Sequence, residues 1–182
     1  SSAGNRATWT FSTWLKLTAL GTSTNSDQPG AILNAGTSGN QDGFYRLNYS
    51  QTKLFSSSAE ANFFFSNSLY RDMSGWYHVV WKQGSNTSTV YVNGEAASGA
   101  TASVSGDTAI NNSVQHTIGT HANSLSETPL KAYLAETIMI DGTALGPDSF
   151  GETKNGVWIP KDASGLTFGT NGFHLDYADS SA

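Results

Sequence analysis

Apolar and polar residues alternate along much of this chain in short runs broken by Gly, Asn, Asp and Ser. A period of two sends successive side chains to opposite faces of an extended backbone, so each run predicts a β-strand. Residues 8–17 put Trp9, Phe11, Leu15 and Leu17 on one face, with Thr13 interrupting it and Trp14 pointing the other way. Short strands are predicted over 31–35, 44–49 and 62–65, with Asp42-Gly43 turning into the second. Residues 76–82 set Trp76, His78 and Val80 against Tyr77, Val79 and Trp81. Both faces are apolar there, which predicts a central strand buried on two sides. Residues 87–93 form a strand that ends at Asn93-Gly94. That dipeptide is a hairpin signal, because Asn and Gly tolerate positive φ.

Residues 95–112 are rich in Ala, Ser and Gly and predict little. A short strand is expected over 115–119 and a long one over 131–140, with Leu134, Ile138 and Ile140 sharing a face. Pro147 opens one helical turn over 147–150, where its missing N–H is no loss. Segments 157–160 and 172–177 are the last strand candidates. No long amphipathic helix is present, and roughly ten short strands with turns between them predict an all-β antiparallel sandwich or barrel. There is no internal repeat or linker, so residues 1–182 are expected to form one domain.

Composition narrows the function. The net charge is −5 and only 9 residues are Lys or Arg, scattered along the chain. A nucleic-acid surface needs clustered positive charge to displace counterions, so none is expected. No apolar run approaches the roughly 18 residues that span a bilayer, so no membrane insertion is expected. The absence of cysteine excludes a disulfide framework and zinc–thiolate sites, and it suits a protein made in a reducing bacterial cytoplasm. Charged residues make up 13%, with Ser, Thr, Asn and Gly in their place, while 12% aromatic residues argue for a packed core over disorder. No signal peptide is visible. The chain starts without Met, which leaves open a processed protein or a segment of a longer one.

Three stretches carry a resemblance. The first is Ser1 to Arg6 followed by Thr8-Trp9-Thr10-Phe11-Ser12 and Trp14. The second joins Gly75-Trp76-Tyr77-His78-Val79-Val80 to Val90-Tyr91-Val92-Asn93-Gly94. The third is the string Leu134-Ala135-Glu136, Ile140-Asp141-Gly142, Pro147, Phe150-Gly151-Glu152, Gly156-Val157-Trp158-Ile159-Pro160 and Gly169 to Asp176. Together they resemble the laminin-G-like, concanavalin A-like jelly-roll domains of tailed, marine-type bacteriophage structural proteins. The resemblance implies a two-sheet antiparallel jelly-roll sandwich on a fibre, spike or capsid decoration. It also implies other virion proteins as partners, a homotrimer by analogy with fibres, and sugar binding at a loop rim or sheet face.

The candidate chemistry is sparse. Glucanases of this fold need paired acidic residues at alternate strand positions. Here the positions two and four after Glu136 are Ile138 and Ile140, and Asp141 falls on the opposite face, so no enzyme is expected. Calcium needs six to eight oxygen ligands. Asp42, Asp107 and Asp141 are loop-like calcium candidates without a dense acidic run, so solvated turn residues are the simpler account. His78 and His174 lie in strand patterns and read as structural, and His116 and His121 show no ligand spacing. No G-x-S-x-G or phosphate loop occurs. The sequons at Asn48, Asn86 and Asn111 are expected by chance in so Asn- and Ser-rich a chain.

Sugars offer a C–H face to aromatic rings and hydroxyls to amides and charged groups. Tyr45 and Tyr49 lie on one predicted strand with Asn48 beside them, and Tyr70 and Arg71 lie in a loop. These five are the carbohydrate-binding candidates, each set against a packing role. Trp9, Trp76 and Trp81 are assigned to the core, and Trp14 and Trp158 to neither. The expectation is a non-enzymatic virion surface module that contacts host-surface polysaccharide. The alternatives are a structural packing module without ligand, a glycan-degrading enzyme and a cellular lectin.

Overall fold

The computed structural model describes residues 2–20, 30–37, 40–46, 53–57, 62–84, 87–101, 108–122 and 129–178. Its strands in chain order are β1 (Trp9–Leu17), β2 (Gly30–Thr37), β3 (Asn40–Arg46), β4 (Leu54–Ser57), β5 (Asn62–Ser66), β6 (Tyr77–Gly84) and β7 (Thr87–Val92). They continue with β8 (Glu95–Ala96), β9 (Gly99–Thr101), β10 (His116–Ile118), β11 (Ala132–Asp141), β12 (Gly151–Lys154), β13 (Val157–Pro160) and β14 (Phe173–Leu175). The helical turn expected after Pro147 is a 3₁₀ turn, Pro147–Ser149.

Two six-stranded antiparallel sheets make a jelly-roll sandwich. The first has the order β14-β11-β1-β6-β7-β8 and the second β10-β2-β3-β4-β5-β9. Strands β12 and β13 form a separate hairpin. Trp9, Phe11, Leu15 and Leu17 of β1 and Val79 and Trp81 of β6 face the second sheet, where Leu33, Leu54 and Phe64 meet them. Trp9 and Trp81 cross edge to face at 4.6 Å, and the Trp81 indole N–H donates to Ser88 Oγ at 2.6 Å.

Strand β6 is buried on both faces over His78 to Trp81, as its pattern predicts. Val80, Ile138 and Ile140 on the outer face of the first sheet pack with Phe150 and Ala163, and Leu145, Leu166 and Phe168 join them. Thus the segment after β11 folds back as a cover. The Asn93-Gly94 hairpin forms as expected, with φ of 50° and 87°.

Two expectations fail for local reasons. Leu134 does not share a face with Ile138 and Ile140. The ladder pairs Ser12 with Ile138 but Trp14 with Ala135, so β11 spends one extra residue on a bulge. Glu136 sits there with φ 48°, and the side-chain parity of β11 flips across it. Leu134 therefore packs in the sandwich core and Ile138 and Ile140 under the cover. Asp42-Gly43 is not a turn either: both residues are paired within β3, opposite Ala35 and Asn34.

Replacing Trp81 by Ala removes a fully buried ring and leaves Ser88 Oγ without its donor. The expected loss is about 3–5 kcal/mol in urea unfolding. A change under 1 kcal/mol would show that the two sheets are not held by this ring.

Candidate functional site

The outer face of the first sheet is only partly covered. Along β1 it shows Thr10, Ser12, Trp14 and Lys16, paired across the sheet with Ile140, Ile138, Ala135 and Tyr133 on β11. On the other side, Ser12 and Trp14 pair with Val80 and His78 of β6. The cover seals the Thr10 and Ser12 end. At the Trp14 end the sheet opens, and Tyr133 stands 64% and Trp76 42% exposed.

His78 marks the boundary. It is fully buried, stacked on Trp14 at 4.8 Å and against Trp158 of β13 at 5.9 Å. The Trp158 indole N–H donates to His78 Nδ1 at 3.0 Å, and His78 Nε2 lies 2.9 Å from Ser12 Oγ. An indole nitrogen can only donate, so Nδ1 is the acceptor and Nε2 carries the proton toward Ser12. Burial pushes the His78 pKa down to about 4. The backbone is held as well: His78 N–H donates to Asn93 Oδ1 at 2.8 Å, and Asn93 N–H returns a bond to the His78 carbonyl.

Trp158 is seated on glycines. A Cβ at Gly94 would come within 2.9 Å of its ring, and one at Gly151 within 2.5 Å. Both positions must be bare for the indole to lie flat beside His78. The hairpin β12–β13 is thereby fastened to the sheet through Trp158, and beside that contact a groove of about 430 Å³ opens. Trp14, Trp76 and Trp158 form its aromatic walls. Ala135 of β11 and Val157, Ile159 and Pro160 of the hairpin complete it. Val157 is 60% exposed at the rim. The Trp14 Nε1–H is buried without an acceptor among the described residues.

The sequence candidates fare differently. Tyr70 is half-buried against the sandwich core and meets Tyr77 edge to face at 5.7 Å, so it packs and offers no open platform. Burial raises its pKa. Arg71 is exposed in the loop before β6, outside the groove lining. Asn48 and Tyr49 lie outside the described residues, and of Tyr45 only the backbone pairing with Ala31 and Phe55 is described. Trp76, expected in the core, is at the surface, because it precedes β6 at the uncovered end of the outer face. The signal available in the sequence was the parity it shares with His78 and Val80.

Among the calcium candidates, Asp107 lies outside the described residues and Asp42 is described only as backbone. Asp141 is not a loop residue but the last of β11. Its Oδ1 accepts Asn5 N–H at 2.7 Å and Asn111 Nδ2–H at 2.6 Å, and its Oδ2 accepts Asn171 N–H at 3.1 Å. Three N–H donors already surround the carboxylate, and this polarity does not suit a cation. Among the described residues no group of three or more His, Asp or Glu could hold a metal ion. Asn111, one of the sequon residues, is 5% exposed and uses its amide on Asp141 and the Asn5 carbonyl. His174 pairs with Glu136 at 2.7 Å.

A second concavity of about 520 Å³ opens at the sandwich edge between β10 and β14, with Asn111, His116, Asn171 and Phe173 in its lining. His116 accepts the Asn111 N–H at Nε2 and lies 2.9 Å from the Val114 carbonyl through Nδ1, so its ring serves the local backbone.

A laminin G family model, described as the concanavalin A-like lectin/glucanases superfamily, matches residues 2–149. The chain belongs to this superfamily. The match ends at residue 149, just before the β12–β13 hairpin. Solved structures share the fold. Domain 4 of AbnA, a GH43 extracellular arabinanase from Geobacillus stearothermophilus solved with arabinotriose, has 18% identity and a TM-score of 0.57 over 81% of this chain. A Trypanosoma rangeli sialidase mutant displaying trans-sialidase activity has 14% identity and a TM-score of 0.55 over 79% of this chain. The heptameric SAP-like pentraxin of Limulus polyphemus has 17% identity and a TM-score of 0.50 over 80% of this chain and 68% of its own. The chain spans 65% of the arabinanase domain and 22% of the sialidase, less than two thirds of either. No curated protein matches.

The His78 joint predicts a pH dependence. With a folded pKa of about 4 against an ordinary 6.5, the unfolded chain binds the extra proton between those values. The His78 contribution is complete above pH 6.5 and is lost as pH falls toward 4, amounting to about 3 kcal/mol. The measurement is urea unfolding from pH 7 to pH 4 for the wild type and His78→Gln, whose difference isolates this group. Parallel profiles would mean that His78 is not held neutral.

Proposed function

We propose that this chain is a non-enzymatic glycan-binding module exposed on a bacteriophage virion, and that it binds through the three-tryptophan groove on the outer face of the first sheet. The observation that carries the binding reading is the groove itself. It has indole faces of the kind that stack on sugar C–H surfaces, it is open to solvent, and it is fixed in shape by His78, Gly94 and Gly151. The arabinotriose complex of the related arabinanase domain supports a sugar as the ligand class. Among the described residues no carboxylate lines the groove, which supports binding without hydrolysis.

The virion assignment rests on the sequence string from Leu134 to Asp176 and its resemblance to phage structural proteins. Other virion proteins are the partners in this reading, with a homotrimer as the fibre-like assembly. Display in many copies turns weak single-site contacts with host polysaccharide into durable attachment. No calcium is required at the groove.

The test is binding of the purified chain to host cells and their surface polysaccharides, with and without calcium. Trp76→Ala should weaken binding by about ten-fold or more, since an exposed aromatic anchor is lost without disturbing the core. Arg71→Ala should leave it unchanged. Loss on Tyr45→Ala or Tyr49→Ala, with Trp76→Ala silent, would move the site to that strand. No binding by the folded chain would favour a structural packing module instead.

A further inference from the structure

We infer that the groove recognises an N-acetylated hexosamine, with the acetamido group as the part it grips; this rests on the glycan-binding reading above. The lining is the reason. Among the described residues it holds indoles and the aliphatic side chains Ala135, Val157, Ile159 and Pro160, with no carboxylate, amide or hydroxyl side chain. A plain hexose carries hydroxyls around its ring, and burying these against such a wall strips their water and returns nothing. A methyl group fits the same wall well.

One polar group remains to be satisfied. The Trp158 N–H is committed to His78 Nδ1, but the Trp14 N–H, on a ring only 6% exposed, has no acceptor among the described residues. A buried donor left unpaired is costly, so a ligand that brings an acceptor there gains more than an ordinary hydrogen bond. The required ligand group is therefore a methyl beside a neutral acceptor. An acetamido group is that combination, with the methyl and the carbonyl oxygen on one carbon. A 6-deoxy sugar has the methyl but no carbonyl oxygen on the carbon that bears it, and a carboxylate has acceptors but would be desolvated without a cation. The Trp14 N–H is closed to solvent in the free protein, so binding requires the exposed rim side chains Trp76 and Val157 to turn aside from the Trp14 edge. The ring hydroxyls of the sugar stay on the open, hydrated side.

The test compares matched oligosaccharides on the intact chain by calorimetry and NMR. Triacetylchitotriose is set against cellotriose, and N-acetylgalactosamine glycosides against galactosides, with host polysaccharide as the general control. The acetylated member should bind tighter by about ten-fold or more. Saturation transfer should be strongest at the acetyl methyl. The Trp14 indole N–H resonance, assigned through Trp14→Phe, should move downfield as it gains an acceptor. Equal binding of both members of each pair overturns the inference, as does binding that leaves the Trp14 resonance in place. Binding to host polysaccharide but to none of the N-acetylated sugars also overturns it, while glycan binding itself stands. Failure to bind any glycan removes the underlying reading as well. The ligand comparison needs no substitution, so the outcome does not depend on the stability of Trp14→Phe.

Discussion

A sheet that is apolar on both faces needs two partners, and that constraint organises this molecule. The inner face of the first sheet is satisfied by the second sheet, through Trp9, Phe11, Trp81 and their neighbours. Its outer face carries Val80, Ile138 and Ile140, which no single sandwich can bury. The segment after β11 meets the need by turning back over the sheet and bringing Phe150, Ala163, Leu166 and Phe168 onto it. Everything distinctive about the surface follows from where this cover ends. It stops at the row of Trp14, Ala135 and His78, and the groove is the step between covered and open sheet.

His78 occupies the step, and its neutrality is a consequence of position. One ring face meets the Trp14 indole, the Trp158 indole lies at the ring edge, and both nitrogens have partners, one a pure donor. Protonation would set an imidazolium N–H against the indole N–H in a buried site, so burial and tautomer act in the same direction. The imidazole is thus a joint between framework and cover.

Much of the sandwich was legible because its strands obey a strict period. The two-faced pattern over β6, the Asn93-Gly94 turn and the Pro147 turn each follow from local chemistry, and each forms as expected. What a period cannot show is a change of phase. The extra residue at Glu136 is invisible in the alternation of Leu134, Ile138 and Ile140, because a bulge is defined by what β1 does opposite it. The groove was hidden for a related reason. Trp76 reads as apolar and interior by residue type, and only the extent of the cover decides that its face is open. Tyr70 shows the converse, a loop tyrosine half-buried against the core between Leu54 of β4 and Tyr77 of the next strand. The quoted motifs around Trp76, Asn93 and Trp158 proved to be one place. They converge on His78, which sequence distance concealed.

The groove is also divided by origin, and this bears on how specificity could arise. Trp14 and Ala135 belong to strands within the family match, fixed by the packing of the sandwich, and Trp76 stands exposed just before β6 in the same matched region. Val157, Ile159 and Pro160 belong to the hairpin beyond it, which bears on the sheet through Trp158. Gly94 and Gly151 keep that seat clear from the framework side and the hairpin side respectively. Substitutions at Val157, Ile159 or Pro160 would therefore reshape one wall without reaching the sandwich core. A fixed aromatic floor with an exchangeable aliphatic wall separates the demand for stability from the demand for recognition, because the residues that carry each lie on different elements.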